Sequence, residues 1–228
     1  MKALLPRLCH SVFSHPKLYD LVQWAVGAAK VRARLIPLLT GPENQIVLDV
    51  GAGTGTLRAL LPENCRYIWM DNDPQKLRGY RARRGDRAVL GSALHLALAS
   101  NSVDQALLVA VSHHLGDSEF RQTLQEIARV VRHKLVFLDP IDCPARPVSR
   151  LLWSIDRGSF PRSQEVLRRF LEEYYVLEQA EVFTVLHRYF VCVARPKTAS
   201  VADSERCRSA FRGDGDHDSD LMPITIPS

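Results

Sequence analysis

The stretch Ile46-Val47-Leu48-Asp49-Val50-Gly51-Ala52-Gly53-Thr54-Gly55 runs an apolar segment into four small residues within five positions, Gly51, Ala52, Gly53 and Gly55. A short, nearly all-apolar segment is what a strand buried on both faces carries. Glycines directly after it admit left-handed backbone angles and let the chain come close to a ligand. A helix is expected next, over residues 54–61, and its free N–H groups would face whatever the turn holds.

The pattern then repeats. Arg66–Asp71 reads as a second strand, with Pro74 opening a helix at its first turn. Residues 87–91 and 103–111 read as a third and a fourth strand, and 134–139 as a fifth. Between the last two, residues 117–132 form an amphipathic pattern with Phe120, Leu124, Ile127, Ala128 and Val131 on one face and Asp117 or Ser118 as cap. Residues 140–175 look helical with breaks at Pro140, Pro144, Pro147 and Pro161, and residues 176–196 read as a closing strand pair. Alternating strands and helices make this an α/β chain with a doubly wound, mostly parallel sheet and an antiparallel edge. Helical spacing of Leu18, Leu21, Val22, Ala25, Ala29, Val31, Leu35 and Leu39 gives residues 1–40 one or two helices that cover the sheet or cap a site. Residues 41–197 form the central domain, and 198–228, polar and rich in Gly, Ser and Asp, are expected to be a disordered tail.

The turn suits nucleotides generally. It is no P-loop, because no Gly-Lys-Ser/Thr follows, and the third small position of a dinucleotide fingerprint is Thr56. Asp49 narrows the choice, since a carboxylate two residues before Gly51 would repel a pyrophosphate and attract an ammonium group. A cofactor with an amino-acid end and no phosphate fits better.

Residues 47–57, VLDVGAGTGTL, resemble the first motif of class I S-adenosylmethionine-dependent methyltransferases, in their methyltransferase type 11-like branch. YIWMDNDPQKL resembles the second-strand motif, whose terminal acid binds the ribose; Asp71 stands there, followed by Asn72. VLGSALHLALASNSVDQAL resembles the segment over adenine, with Ser92 where the family usually has an Asp, and Ala93 beside it. VDQALLVAVSHHLGD resembles the fourth strand, with Asp104 at its start, and the loop after it; LQEIARVV resembles the next helix, without the Pro-Gly-Gly turn that often follows. The resemblance covers about Ile46 to Asp139. It implies a Rossmann-like seven-stranded sheet, S-adenosyl-L-methionine as cofactor, and contacts to it from Asp49, Gly51, Ala52, Gly53, Gly55, Asp71, Asn72, Ser92, Ala93 and Val111.

Ligands of such sheets sit beyond the carboxyl ends of the strands. His113 and His114 fall there, after strand four, and either could take a proton from a hydroxyl; spacing does not separate them. Asp139 and Asp142, after strand five, and Arg157 further on, are placed on the substrate side, and an Arg there, whether Arg157 or Arg162, would grip a carboxylate or phosphate. His187, Arg188 and Tyr189 read as structural. No spacing suggests a metal site. These residues point to methyl transfer onto a small biosynthetic intermediate, with oxygen slightly favoured as acceptor. An RNA, a lipid-like quinone precursor and a non-catalytic protein of the same fold are the alternatives.

Composition sets the outer limits. No apolar run approaches the roughly 20 residues that span a bilayer, and the N-terminal run is broken by Pro6 and Arg7, so a cytoplasmic protein is expected. The five cysteines are widely spaced, with neither a disulfide framework nor a zinc pattern. The net charge of +5 is uneven: residues 198–228 hold six acids against three Arg, which leaves about +8 on the remainder. Its densest cluster is Lys76, Arg78, Arg81, Arg83, Arg84 and Arg87. A basic body suits anionic partners, including a membrane surface. Without interleaved aromatics, nucleic acid is not favoured. The oligomeric state is left open.

Overall fold

The computed structural model describes residues 28–78, 86–147, 149–150, 153 and 160–197. By its contacts the chain divides into Met1–Lys197 and Thr198–Ser228, and the second unit, with the expected tail, lies outside the described residues. Most of the expected N-terminal helical region lies outside them too.

Seven strands form one sheet: β1 (Ile46–Val50), β2 (Arg66–Asp71), β3 (Arg87–Leu90), β4 (Val103–Val109), β5 (Val131–Ile141), β6 (Tyr175–Thr184) and β7 (Arg188–Pro196). Their order is β3-β2-β1-β4-β5-β7-β6. The first five pair in parallel, as their apolar runs predict. The antiparallel strand of the late pair is β7, which lies between β5 and the edge strand β6. Residues 189–194 of β7 are accordingly all buried, whereas β6 presents Glu178 and Glu181 to solvent, a charged edge that discourages further pairing.

Each face of the sheet has its own core. Leu48, Val50, Ala106, Leu108, Leu135, Phe137 and Phe190 pack against helices α2 (Asp117–Val130) and α3 (Gln164–Tyr174) through Phe120, Leu124, Ile127, Leu167, Phe170 and Leu171. On the other face Val47, Tyr67, Trp69, Leu107, Val136, Leu138, Val191 and Val193 meet Leu57, Leu61 and the end of α1 (Ala28–Leu35), where Leu35 and Leu39 are buried. Lys134 in β5 donates to the carbonyls of Leu38 and Thr40, which ties α1 to the sheet.

Three local readings change. The helix expected over residues 54–61 is a five-residue 3₁₀ turn, Thr56–Leu60. Its first flank, Gly55, is left-handed, and Leu61, which precedes Pro62, is extended, as a pre-proline residue prefers. The Arg58 guanidinium then takes the carbonyls of Pro62 and Glu63 and ends the turn. The cap of α2 is Gly116, whose N–H donates to the Glu119 carboxylate at 2.8 Å; Asp117 is already helical. Finally, α2 passes into β5 with no intervening turn, so β5 begins at Val131 and runs on through Pro140, which stands opposite Tyr189.

Candidate active site

The glycine turn lies at the carboxyl end of β1. The N–H groups of Gly51 and Ala52 both donate to Met70 O, at 2.8 and 3.0 Å, which fastens the turn to β2. Gly51, Gly53 and Gly55 all have positive φ, at 70°, 56° and 67°. A Cβ on Gly51 would stand 2.6 Å from Val111 Cγ2, so the loop after β4 sits directly over the turn. At Gly53 no described atom lies within 4 Å of where a Cβ would be. Beside it the hydroxyl of Thr54 is buried and has no hydrogen-bond partner among the described residues.

Asp71 ends β2 against this open space. Its carboxylate accepts the Gly53 N–H at 2.8 Å and the Asp73 N–H at 2.9 Å, with Lys76 Nζ 3.8 Å away. Each oxygen keeps a second lone pair for a hydroxyl donor. Asp49 is buried and accepts a hydrogen bond from the Tyr67 hydroxyl. Burial pushes its carboxyl up to about 7; the Tyr67 bond pulls it down and the Asp71 charge adds to the rise. Asn72 and Ser92 are exposed, with Ser92 Oγ accepting the Leu94 N–H at 3.2 Å, and Ala93 packs on the core. Asp104 stands at the opposite end of β4 and staples the sheet, accepting the Ile46 N–H at 2.8 Å and Arg132 at 2.8 Å.

The second half of the site stands beyond β4 and β5. The 3₁₀ turn Ser112–His114 buries His113 and leaves His114 exposed, with their rings 4.1 Å apart. His113 Nδ1 is 2.5 Å from Asp139 Oδ1, and the other oxygen of Asp139 accepts the Ser112 N–H at 2.7 Å. Asp139 was expected to meet substrate. It is instead fully buried, with both oxygens engaged by His113 Nδ1 and the Ser112 N–H. The His113 ring meets the edge of Trp153, which in turn meets His187; Ser149 Oγ lies 3.2 Å from His187 Nδ1.

Arg162 does not reach toward a substrate. Its guanidinium donates to the carbonyls of Ser112 and Leu115 and to Asp117, because the chain before α3 passes along the loop after β4. Asp142 is exposed, and its N–H donates to Arg162 O. Asp156 and Arg157 lie outside the described residues, as do Arg81, Arg83 and Arg84 of the basic cluster. Sequence reasoning passed over Thr54, Tyr67 and Trp153. For Tyr67 a signal existed: in register with Val47, it shares a sheet face with Asp49.

Residues 48–137 match the family model described as a methyltransferase domain. By that match the chain carries a methyltransferase domain over these residues. The methyltransferase matches no curated protein by sequence. Solved structures share its fold. A chain from the complex of the Haloferax volcanii Trm112 methyltransferase activator with a methyltransferase is 15% identical, with a TM-score of 0.65, over 80% of this chain and 97% of that one. An S-adenosylmethionine-dependent methyltransferase from Aquifex aeolicus is 18% identical, with a TM-score of 0.56, over 73% and 89%. A protein named as a methyltransferase of an antibiotic biosynthesis pathway in Anabaena variabilis is 21% identical, with a TM-score of 0.56, over 68% and 64%.

The cofactor of the methyltransferase is S-adenosylmethionine, and the turn fits it. At Gly53 there is open space beside the turn, and the adjoining Thr54 hydroxyl is buried with no hydrogen-bond partner among the described residues. No group of three or more metal-binding side chains occurs among the described residues. Nor is any helix among them long and apolar enough to cross a membrane.

Proposed function

We propose that the methyltransferase methylates the oxygen of a small hydroxylated acceptor, with His113 as general base. The buried His113–Asp139 pair carries this reading. With Nδ1 held by Asp139, proton exchange falls to Nε2, the other ring nitrogen. A proton arriving there makes an imidazolium against a buried carboxylate, which stabilises it. The Ser112 N–H fixes that carboxylate, so the ring is set before substrate arrives. Asp71 and the glycine turn hold the nucleoside, and Asp49 faces the ammonium end. Bound there, the cofactor supplies a methyl carbon made electrophilic by its sulfonium.

The likeness to a protein of an antibiotic biosynthesis pathway supports a biosynthetic acceptor. Ser112-His113-His114 stands after β4 in place of the asparagine-proline-proline-aromatic motif of nucleobase amino methylation, which argues against that branch. We place the enzyme in the cytoplasm. The test is methyl transfer to a panel of phenols and catechols, read as release of S-adenosylhomocysteine. His113→Gln and Asp139→Asn are expected to lower kcat by about 10²- to 10⁴-fold, the usual contribution of a positioned base. Undiminished turnover by His113→Gln would overturn the assignment.

A further inference from the structure

We infer that Arg162 is a positioning residue for His113. The inference rests on His113 acting as base. Arg162 is buried, its side chain 5% exposed. It lies over the rings of Phe120 and Phe170, with its guanidinium carbon 5.0 and 5.6 Å from their centroids. An apolar side chain would fill that space without the desolvation penalty a guanidinium carries. The return on burying this charge lies in what its hydrogens hold.

They hold the loop that carries the base. Nη1 donates to Ser112 O at 2.8 Å and weakly to Phe160 O at 3.4 Å. Nη2 donates to Leu115 O at 2.7 Å. Nε and Nη2 share Asp117 Oδ1, at 3.1 and 2.8 Å. The same segment closes on His113 itself, because the Phe160 N–H donates to His113 O at 3.1 Å. Ser112 is therefore gripped from two sides, with its N–H on the Asp139 carboxylate and its carbonyl on the Arg162 guanidinium. The peptide before Ser112 is held by its N–H on the buried Asp139 carboxylate, and the peptide joining Ser112 to His113 by its carbonyl on the buried Arg162 guanidinium. This grip aims the imidazole at Asp139. A lysine cannot reproduce it, since a single ammonium lacks the planar fork that reaches two carbonyls and a carboxylate at once.

The test reads the imidazole directly and needs no acceptor. In protein labelled with nitrogen-15 at histidine, the Nδ1 proton bound to Asp139 gives a low-field resonance. It is assigned by its loss in His113→Gln and Asp139→Asn. In Arg162→Lys this resonance is expected to move upfield or be lost to exchange, and the titration midpoint of His113 to fall, while affinity for S-adenosylhomocysteine stays within about twofold. With the phenol panel, kcat is expected to drop about tenfold or more, in line with the effect of small misplacements of catalytic groups, at unchanged KM for the cofactor. Should Arg162→Lys fail to fold, Asp117→Asn takes its place. Asp117 is exposed, and its change is expected to give a smaller shift of the same sign. An unchanged resonance and midpoint in a folded variant would overturn the inference while leaving the base assignment standing. A resonance that responds, together with full turnover by His113→Gln, would instead overturn the base assignment and with it a catalytic purpose for the clamp.

Discussion

With Asp49 proposed to face the ammonium end of the cofactor, a single carboxyl group is expected to give binding a pH dependence. Asp49 titrates near 7 in the folded protein because it is buried, against an ordinary value of 3.8. Between those values the native state holds a proton that the unfolded chain has released. Its contribution to stability is therefore greatest below about pH 4, declines as pH rises to 7, and is constant above that. Ligand binding runs the other way, since an ammonium group prefers the ionised form. Affinity for S-adenosylhomocysteine is expected to weaken about tenfold from pH 8 to pH 6, following the ionised fraction of a group titrating near 7. Asp49→Asn should bind more weakly at pH 8 and flatten that slope, as measured by titration calorimetry. At the adjoining turn, Gly51→Ala would set a methyl group 2.6 Å from Val111 Cγ2 on a residue at φ 70°. The left-handed angle alone costs roughly 1–2 kcal/mol, so a larger loss is expected in urea unfolding. Val111→Ala should recover the part due to contact and none of the part due to backbone.

Among the elements, β4 shows how one end of a strand serves stability while the other serves chemistry. Asp104 is pushed up by burial but more strongly lowered by the Ile46 N–H and Arg132, and ends below the ordinary carboxylate value. A lowered carboxyl stabilises above its unfolded pKa and loses that contribution as pH falls through the folded one. Asp104→Ala is thus expected to lower stability by about 1–3 kcal/mol at pH 7, the range for losing a charged hydrogen-bond partner. The deficit should shrink below pH 4, and urea midpoints at both pH values would show it. The strands were legible because burial on both faces writes itself as short apolar runs, Ile46–Leu48 in β1 and Ala106–Val109 in β4. The turn after β1 was less so, since its shortness depends on Pro62 together with the side chain of Arg58, and no periodicity reports such a pairing. Arg162 could be read as a ligand-gripping residue because a sequence shows that a guanidinium exists, while its partners, 45 to 50 residues away, come from the fold. Of the two histidines, only the structure tells which is buried against Asp139.

For the molecule as a whole, the proposed cofactor site joins the ends of β1, β2 and β4, so its occupancy should report on the entire fold. S-adenosylhomocysteine at about 100 times its Kd contributes about 2.7 kcal/mol, expected to raise Tm by about 5–10 °C for a chain of this size. Asp71→Ala should abolish most of that rise in a thermal melt while changing the ligand-free Tm far less. A Tm shift equal to wild type would remove Asp71 from the site. The sheet order carries a different consequence. β5 holds the buried run Leu135–Ile141, including the carboxylate that steadies His113, and one side of it is closed only by β7. That partner begins at Arg188, after α3 and β6 have been made. During synthesis an apolar inner strand therefore waits with an open hydrogen-bonding edge, the condition that invites intermolecular pairing. Because β6 and β7 join through a short connection, their pairing is local and is expected to form ahead of the non-local pairing with β5. Covering β5 would then be a docking event between two assembled pieces, and chains interrupted before Arg188 are the ones a chaperone would have to hold.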